Sequence, residues 1–238
     1  MADGLFLILL TFIAASIGTM TGFGTSTIMV PTLSLFLPLP QTLLFVGIIH
    51  WFGDIWKIIF FKKGFNLKLI LMFGIPGTIF SFLAAKLPLT LPQVLLSRSL
   101  GLFLAAYVAF LFLKPNWKLK ASTPTALLGG TLSGFFSGIF GVGGAIRSSF
   151  LTAFNLEKSV FLFTSGVIGL FIDSSRLVQY SISGIRLGPL MTALVLCIPA
   201  SFLGARVAKT IVTRIPQPSF RLVIALFLFL VGLRYLIV

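Results

Sequence analysis

The sequence is short of acid, histidine and cysteine. Of 238 residues only 4 are Asp or Glu, with 1 His and 1 Cys. The lone Cys197 excludes an intramolecular disulfide and any cysteine-rich metal cluster. It lies in an apolar stretch and reads as a small packing residue. No Gly-x-x-x-x-Gly-Lys-Ser/Thr phosphate loop and no Gly-x-Ser-x-Gly nucleophile motif occur. No metal-ligand spacing is found either, so the chain reads as no enzyme, with no catalytic residue, metal or cofactor. Charge of any kind is scarce: 9% of residues are charged, 58% are hydrophobic, and mean hydropathy is +1.13. A soluble domain of this size needs far more polar surface over its core. The N-terminus carries no positive n-region and no clear small-residue cleavage site follows, so residues 4–17 read as a retained first helix and not a signal peptide.

The basic residues are the exception to this scarcity. Net charge is +14, from 18 Lys+Arg. They cluster at the ends of apolar segments, which points to the positive-inside rule and attraction to anionic lipid, not to nucleic acid. Some could face inward and hold an anionic substrate.

Ten apolar segments fall at about 4–17, 24–37, 42–61, 67–86, 93–113, 125–140, 144–156, 159–181, 187–208 and 218–238. Turn chemistry separates them, as at Leu37-Pro38-Leu39-Pro40, Lys62-Lys63-Gly64, Leu87-Pro88, Lys114-Pro115-Asn116 and Ile215-Pro216-Gln217. Roughly 20 apolar residues cross a bilayer. Segments 24–37 and 144–156 are too short for that, and each follows a glycine cluster. They read as half-helices of broken or re-entrant hairpins.

An internal repeat organises the chain. Gly22-Phe23-Gly24 recurs 119 residues on as Gly141-Val142-Gly143, and Asp54 and Lys57 recur at the same offset as Asp173 and Arg176. Ser81-Phe82-Leu83-Ala84-Ala85-Lys86 recurs at offset 120 as Ser201-Phe202-Leu203-Gly204-Ala205-Arg206. Leu91-Pro92-Gln93 recurs at offset 124 as Ile215-Pro216-Gln217. The halves are 1–116 and 117–238, together forming one integrated domain.

Loop charge orients the halves. Lys57, Lys62, Lys63 and Lys68 fall in one first-half loop, Lys86 alone in the next, and Lys114, Lys118 and Lys120 in the linker. In the second half the bias swaps, with Arg176 and Arg186 in the first loop against Arg206, Lys209 and Arg214 in the second. Equivalent loops therefore face opposite sides of the membrane. The fold class read from this is an all-α polytopic membrane protein of two inverted-topology repeats, about five helical segments each. The crossings per half must be odd, three or five, and both termini are expected outside.

Three constellations could carry chemistry. The first is Gly22, Phe23, Gly24, Thr25 and Ser26, followed by Thr27, with its counterpart Gly141, Val142, Gly143 and Gly144. A helix restarting after such a break exposes free N–H groups and the positive end of its dipole, a ready anion site. Hydroxyls of Thr25, Ser26 and Thr27 would add donors, and Arg147 a full charge one turn on. The alternative is close helix packing through small residues. The second constellation is Asp54 with Lys57 and Asp173 with Arg176, in spans where ionisable groups are costly and usually functional. Each pair could close locally at i,i+3, or cross between halves as Asp54–Arg176 and Asp173–Lys57. Their roles would be structural pairing, or coupling and gating. The third is His50, one turn before Asp54, placed to shuttle a proton or simply to pack. Its repeat position is Gly169.

The glycine motif in each half, the chain length, the duplication, and the Ile75-Pro76-Gly77 and Ile198-Pro199-Ala200 turns resemble the TauE/SafE sulfite exporter family of membrane permeases over essentially the whole chain. Gly22, Phe23 and Gly24 match the first motif; Gly141, Val142, Gly143 and Gly144 match the second more closely. Thr25 and Ser26 stand where members often carry further glycines. The resemblance implies transport of small sulfur-containing anions such as sulfite or sulfoacetate. The expected protein is a secondary permease of a bacterial-type inner membrane. Its partners are a small anion, lipid and a candidate coupling proton, with no nucleic acid. An anion channel, or an intramembrane enzyme or enzyme partner, are the alternatives.

Overall fold

In the computed structural model, residues 4–62, 64–113 and 119–211 are described, together with Phe229 and Leu233. Every regular element among them is helical. Lipid offers the backbone no hydrogen-bond partner, so an apolar chain must close its own bonds within helices. The order is α1 (Gly4–Thr21), α2 (Ser26–Leu33), α3 (Leu39–Phe60), α4 (Leu67–Ala84), the single turn α5 (Leu87–Thr90), α6 (Gln93–Leu113), α7 (Thr123–Phe140), α8 (Gly143–Leu151), α9 (Lys158–Ile182) and α10 (Leu190–Ile211). Six helical stretches have the length and apolarity to cross a membrane: Gly4–Thr21, Leu39–Phe60, Leu67–Thr90, Gln93–Phe110, Lys158–Ile182 and Leu190–Ile211. The chain is thus a multi-pass membrane protein. Segment 218–238 apart from Phe229 and Leu233, the linker lysines Lys114 and Lys118, Lys63, Arg214, Ile215-Pro216-Gln217 and the boundary at 116/117 lie outside the described residues.

Helix starts follow local chemistry. Asn66 caps α4 by accepting from Leu69 N at 3.0 Å, and Ser122 caps α7 by accepting from Thr125 N. The two short helices are as expected from the segments: α2 has 8 residues and α8 has 9. At 1.5 Å per residue each is about 12–14 Å long, less than half the hydrocarbon thickness.

Helix directions follow from who touches whom. On α3 and α9, Gly47 faces Leu177 while Ile58 faces Gly166, so the two run antiparallel. On α4 and α7, Gly130 abuts the Phe73 carbonyl, Gly134 that of Gly77 and Gly138 that of Ser81, so they run parallel. Thr11 lies beside Cys197 and Gly204 against Ala15 and Ser16, which makes α1 and α10 parallel. Trp56 Nε1 donates to Ser201 Oγ at 3.1 Å, and Lys209 Nζ sits 5.4 Å from the Phe60 ring centroid. Hence α10 also runs with α3.

Two sequence expectations need correction. Ile75-Pro76-Gly77 and Ile198-Pro199-Ala200 are not turns, because Pro76 lies inside α4 and Pro199 inside α10. Neighbouring helices stabilise the missing backbone bond in a packed membrane helix. Lys57 and Arg176 are not loop residues either; both are buried within α3 and α9. They therefore say nothing about the positive-inside bias; Lys68 opens α4, and Arg206 and Lys209 lie near the end of α10 and not in a loop, all three exposed, while Lys62 and Arg186 are loop residues.

Candidate functional site

The polar residues of α3 and α9 form matching stripes. Gly47, His50, Asp54 and Lys57 step along α3 by 3, 4 and 3 residues; Gly166, Gly169, Asp173 and Arg176 repeat those steps on α9. Such spacing holds one helix face, and the antiparallel crossing turns the two faces onto each other. His50, Asp54, Lys57, Asp173, Arg176 and Arg147 of α8 are each at least 98% buried.

Each acid keeps its own helix partner. Lys57 Nζ donates to Asp54 Oδ1 at 2.7 Å, and Arg176 Nε donates to Asp173 Oδ1 at 2.8 Å. The alternative pairing of Asp54 with Arg176 and Asp173 with Lys57 is not the arrangement found. An i,i+3 partner reaches its acid without spanning the helix interface. What crosses the interface is histidine. His50 Nδ1 lies 2.5 Å from Asp173 Oδ2 but 4.0 Å from Asp54 Oδ2 one turn away. Arg147 bridges as well, its Nη2 3.8 Å from Asp54 Oδ1 while its Nε donates to Ser165 Oγ at 3.1 Å. Ser137 Oγ of α7 donates to Asp173 Oδ1 at 3.4 Å.

The glycine breaks sit against this cluster. Gly22, Gly24 and Gly141 have φ of 78°, 85° and 71°, a region that side chains disfavour. A Cβ on Gly24 would overlap His50 Nε2, and one on Gly144 would overlap the Phe23 carbonyl oxygen. The two breaks therefore touch, and Ser148 Oγ ties them by donating to Gly22 O at 2.5 Å. Their depth is readable from α3 and α9. Gly24 faces His50 and Gly53 faces Thr25, near the middle of the 22-residue α3; Gly141 faces Arg176 of α9. Phe23, Thr25, Ser26, Val142 and Gly143 are buried beside them. Of the hydroxyls, Thr27 is spent on the Phe23 carbonyl at 3.0 Å, whereas Ser26 Oγ has no hydrogen-bond partner in the protein.

Charge sets what the cluster can hold. Lys57, Arg147 and Arg176 face two carboxylates, leaving a surplus of one positive charge with His50 neutral. Arg147 Nη2 and Arg176 Nη1 and Nη2 are buried donors without hydrogen-bond partners; among acceptors, Asp54 Oδ2 and the Nε2 of neutral His50, whose Nδ1–H is given to Asp173, are also left over. Orphaned donors of this kind are costly unless something supplies acceptors. His50, Asp54 and Asp173 could each offer an atom to a cation within a 4.8 Å cluster. Both carboxylates are already committed to cations, however, and the surplus positive charge opposes a further one. The set suits an anion.

Sequence reasoning singled out His50, both acid pairs, Arg147 and both breaks, and the structure gathers them all. It missed Gly47, Gly166, Ser165 and Ser148, and assigned no role to Ser137, four residues before the second break. The 3-4-3 stripes carried a readable signal for the two glycines; the serines had none, since their partners come from other helices. No curated protein matches the chain. The family model described as sulfite exporter TauE/SafE matches residues 7–235. That match spans nearly the whole chain, both glycine breaks and all of the charged cluster, so this membrane protein belongs to the TauE/SafE sulfite exporter family.

Proposed function

We propose that the chain is a secondary transporter for a small sulfur-containing oxyanion or organosulfonate, such as sulfite or sulfoacetate, bound where the two glycine breaks meet. The observation that carries this reading is the pair of touching breaks, the first beside the middle of α3, next to a buried cluster with surplus positive charge and unpartnered donors. An anion entering the membrane interior loses its hydration and needs fixed donors in return. Gly22–Ser26 and Gly141–Gly144 give it backbone approach at the starts of α2 and α8, and Arg147 gives it charge.

Packing supports an inverted repeat of 1–116 and 117–238 acting as one domain. The equivalent pairs would be α1 with α7, α2 with α8, α3 with α9 and α4 with α10. As consecutive spans separated by six residues, α3 and α4 cross in opposite directions. Parallel packing of α7 on α4 and of α10 on α3 then leaves each long pair oppositely directed. Ser81 bonds the Ile172 carbonyl of α9 as Ser201 meets Trp56 of α3, again in equivalent places. With α1–α2 and α7–α8 as re-entrant hairpins, three crossings per half place both termini outside a bacterial-type inner membrane. Rocking of one half on the other would alternate access. His50, Asp54, Lys57, Asp173 and Arg176 would couple or gate that motion, with a proton as the coupling ion.

The test is uptake of labelled sulfite, thiosulfate, sulfoacetate and sulfate into proteoliposomes, with and without a pH gradient. Saturable counterflow of one of them is expected. Unitary currents would make the protein a channel, and no flux of any of the four would end the reading.

A further inference from the structure

Arg147 is the cation that the glycine motif brings to notice, yet Arg176 has the more open donor edge. Its guanidinium is fully buried in α9. Nε is spent on Asp173 Oδ1 at 2.8 Å, while Nη1 and Nη2 have no hydrogen-bond partner. The Tyr180 hydroxyl donates to the Gly138 carbonyl at 2.6 Å, and its oxygen lies beside the guanidinium as a weak acceptor that leaves both Nη groups without a well-formed bond. Around Nη1 the wall is made of residues without side chains: a Cβ on Gly47 or on Gly141 would each lie 3.3 Å from it. Two parallel free N–H groups on one planar edge match two oxygens of an oxyanion, a geometry that lysine cannot reproduce.

The position differs from that of Arg147. Arg176 Nη1 lies at the level of Gly47 on α3, whereas Arg147 Nη2 lies beside Asp54. Seven residues of α3 separate Gly47 from Asp54, about 10 Å along the helix axis. His50, with its bond to Asp173, stands between them. One small oxyanion cannot span both levels.

We infer that Arg176 is a second oxyanion station, which takes two oxygens of a sulfite or sulfonate group through Nη1 and Nη2 on the α3 N-terminal side of His50. This rests on the proposed anion transport and divides its path into two stations, Arg147 being the other.

Arg176→Lys is the discriminating variant. The other repeat already pairs Asp54 with a lysine at i,i+3, so Lys at 176 keeps Asp173 neutralised and the fold intact, while the fork is lost. Direct binding of labelled sulfite to purified protein should weaken tenfold or more in Arg176→Lys. Thermal unfolding without anion should stay at the wild-type temperature. Gly47→Ala, which crowds Nη1 and leaves every charge in place, should weaken sulfite binding in the same direction. Wild-type sulfite affinity in a folded Arg176→Lys protein would overturn the inference, and so would an Arg176→Lys defect fully reproduced by Arg147→Lys and absent from the double variant's increment. Wild-type protein that binds sulfite through Arg176 yet moves none across a vesicle would sink transport alone and keep the station.

Discussion

Gly24→Ala tests the contact between the first break and His50. The added methyl meets two separate penalties. At φ of 85° an L residue is disfavoured by about 1–2 kcal/mol. The methyl would also overlap His50 Nε2, and the imidazole must swing away. Moving it breaks the 2.5 Å bond to Asp173. A hydrogen bond to a charged group contributes about 1.5–3 kcal/mol. Gly24→Ala should therefore destabilise by about 2.5–5 kcal/mol in total, the sum of those two ranges. In a His50→Ala background the second penalty disappears, and the same change should cost only about 1–2 kcal/mol, the backbone part. The assay is a double-mutant cycle on denaturant unfolding in detergent micelles. An equal cost of Gly24→Ala in both backgrounds would mean that His50 does not lean on the break, and the link from break to charged cluster would be lost.

Three further outcomes are expected. Gly144→Ala, whose methyl would overlap the Phe23 backbone oxygen, should abolish folded protein, because a carbonyl cannot swing aside as an imidazole can; normal yield with normal transport would refute the backbone contact. Arg147→Ala should lose anion affinity more than Arg147→Lys, read from the concentration dependence of counterflow; equal affinities would reduce Arg147 to a packing residue. With Cys197→Ala as background, single cysteines at positions 62 and 209 should label from the same side of the membrane, since Lys209 lies over Phe60; labelling from opposite faces would remove the inverted topology.

Much of the helical layout was legible because apolar runs, prolines and glycines act over a few residues. The short α2 and α8 were visible as runs cut off by Gly22–Gly24 and Gly141–Gly144. The repeat in the sequence is carried by residues that ignore lipid contact, such as Asp54 with Lys57 and Asp173 with Arg176. Partner choice was not. Whether His50 turns to Asp54 on its own helix or to Asp173 on the next depends on how deeply α3 and α9 interlock, and Gly47 and Gly166 set that depth by lacking side chains. Pro76 and Pro199 misled for a related reason. Proline reads as a break in water, but inside a bundle the surrounding helices hold the chain on course. Ser137 and Ser165 became site residues only through the angle at which α7 and α8 approach α9.

The unequal partners His50 and Gly169 bear on ancestry. Two identical chains pairing antiparallel about a two-fold axis would have to carry the same residue at both places. The fold would not accept histidine twice: any side chain at 169 would collide with the Asp54 carboxylate and with Arg147. Glycine twice would leave no imidazole for Asp173. Under the proposed inverted repeat, joining the two copies into one gene would have released each position to drift separately. A single titratable group could then settle in one half while the other half gave up its side chain to make room.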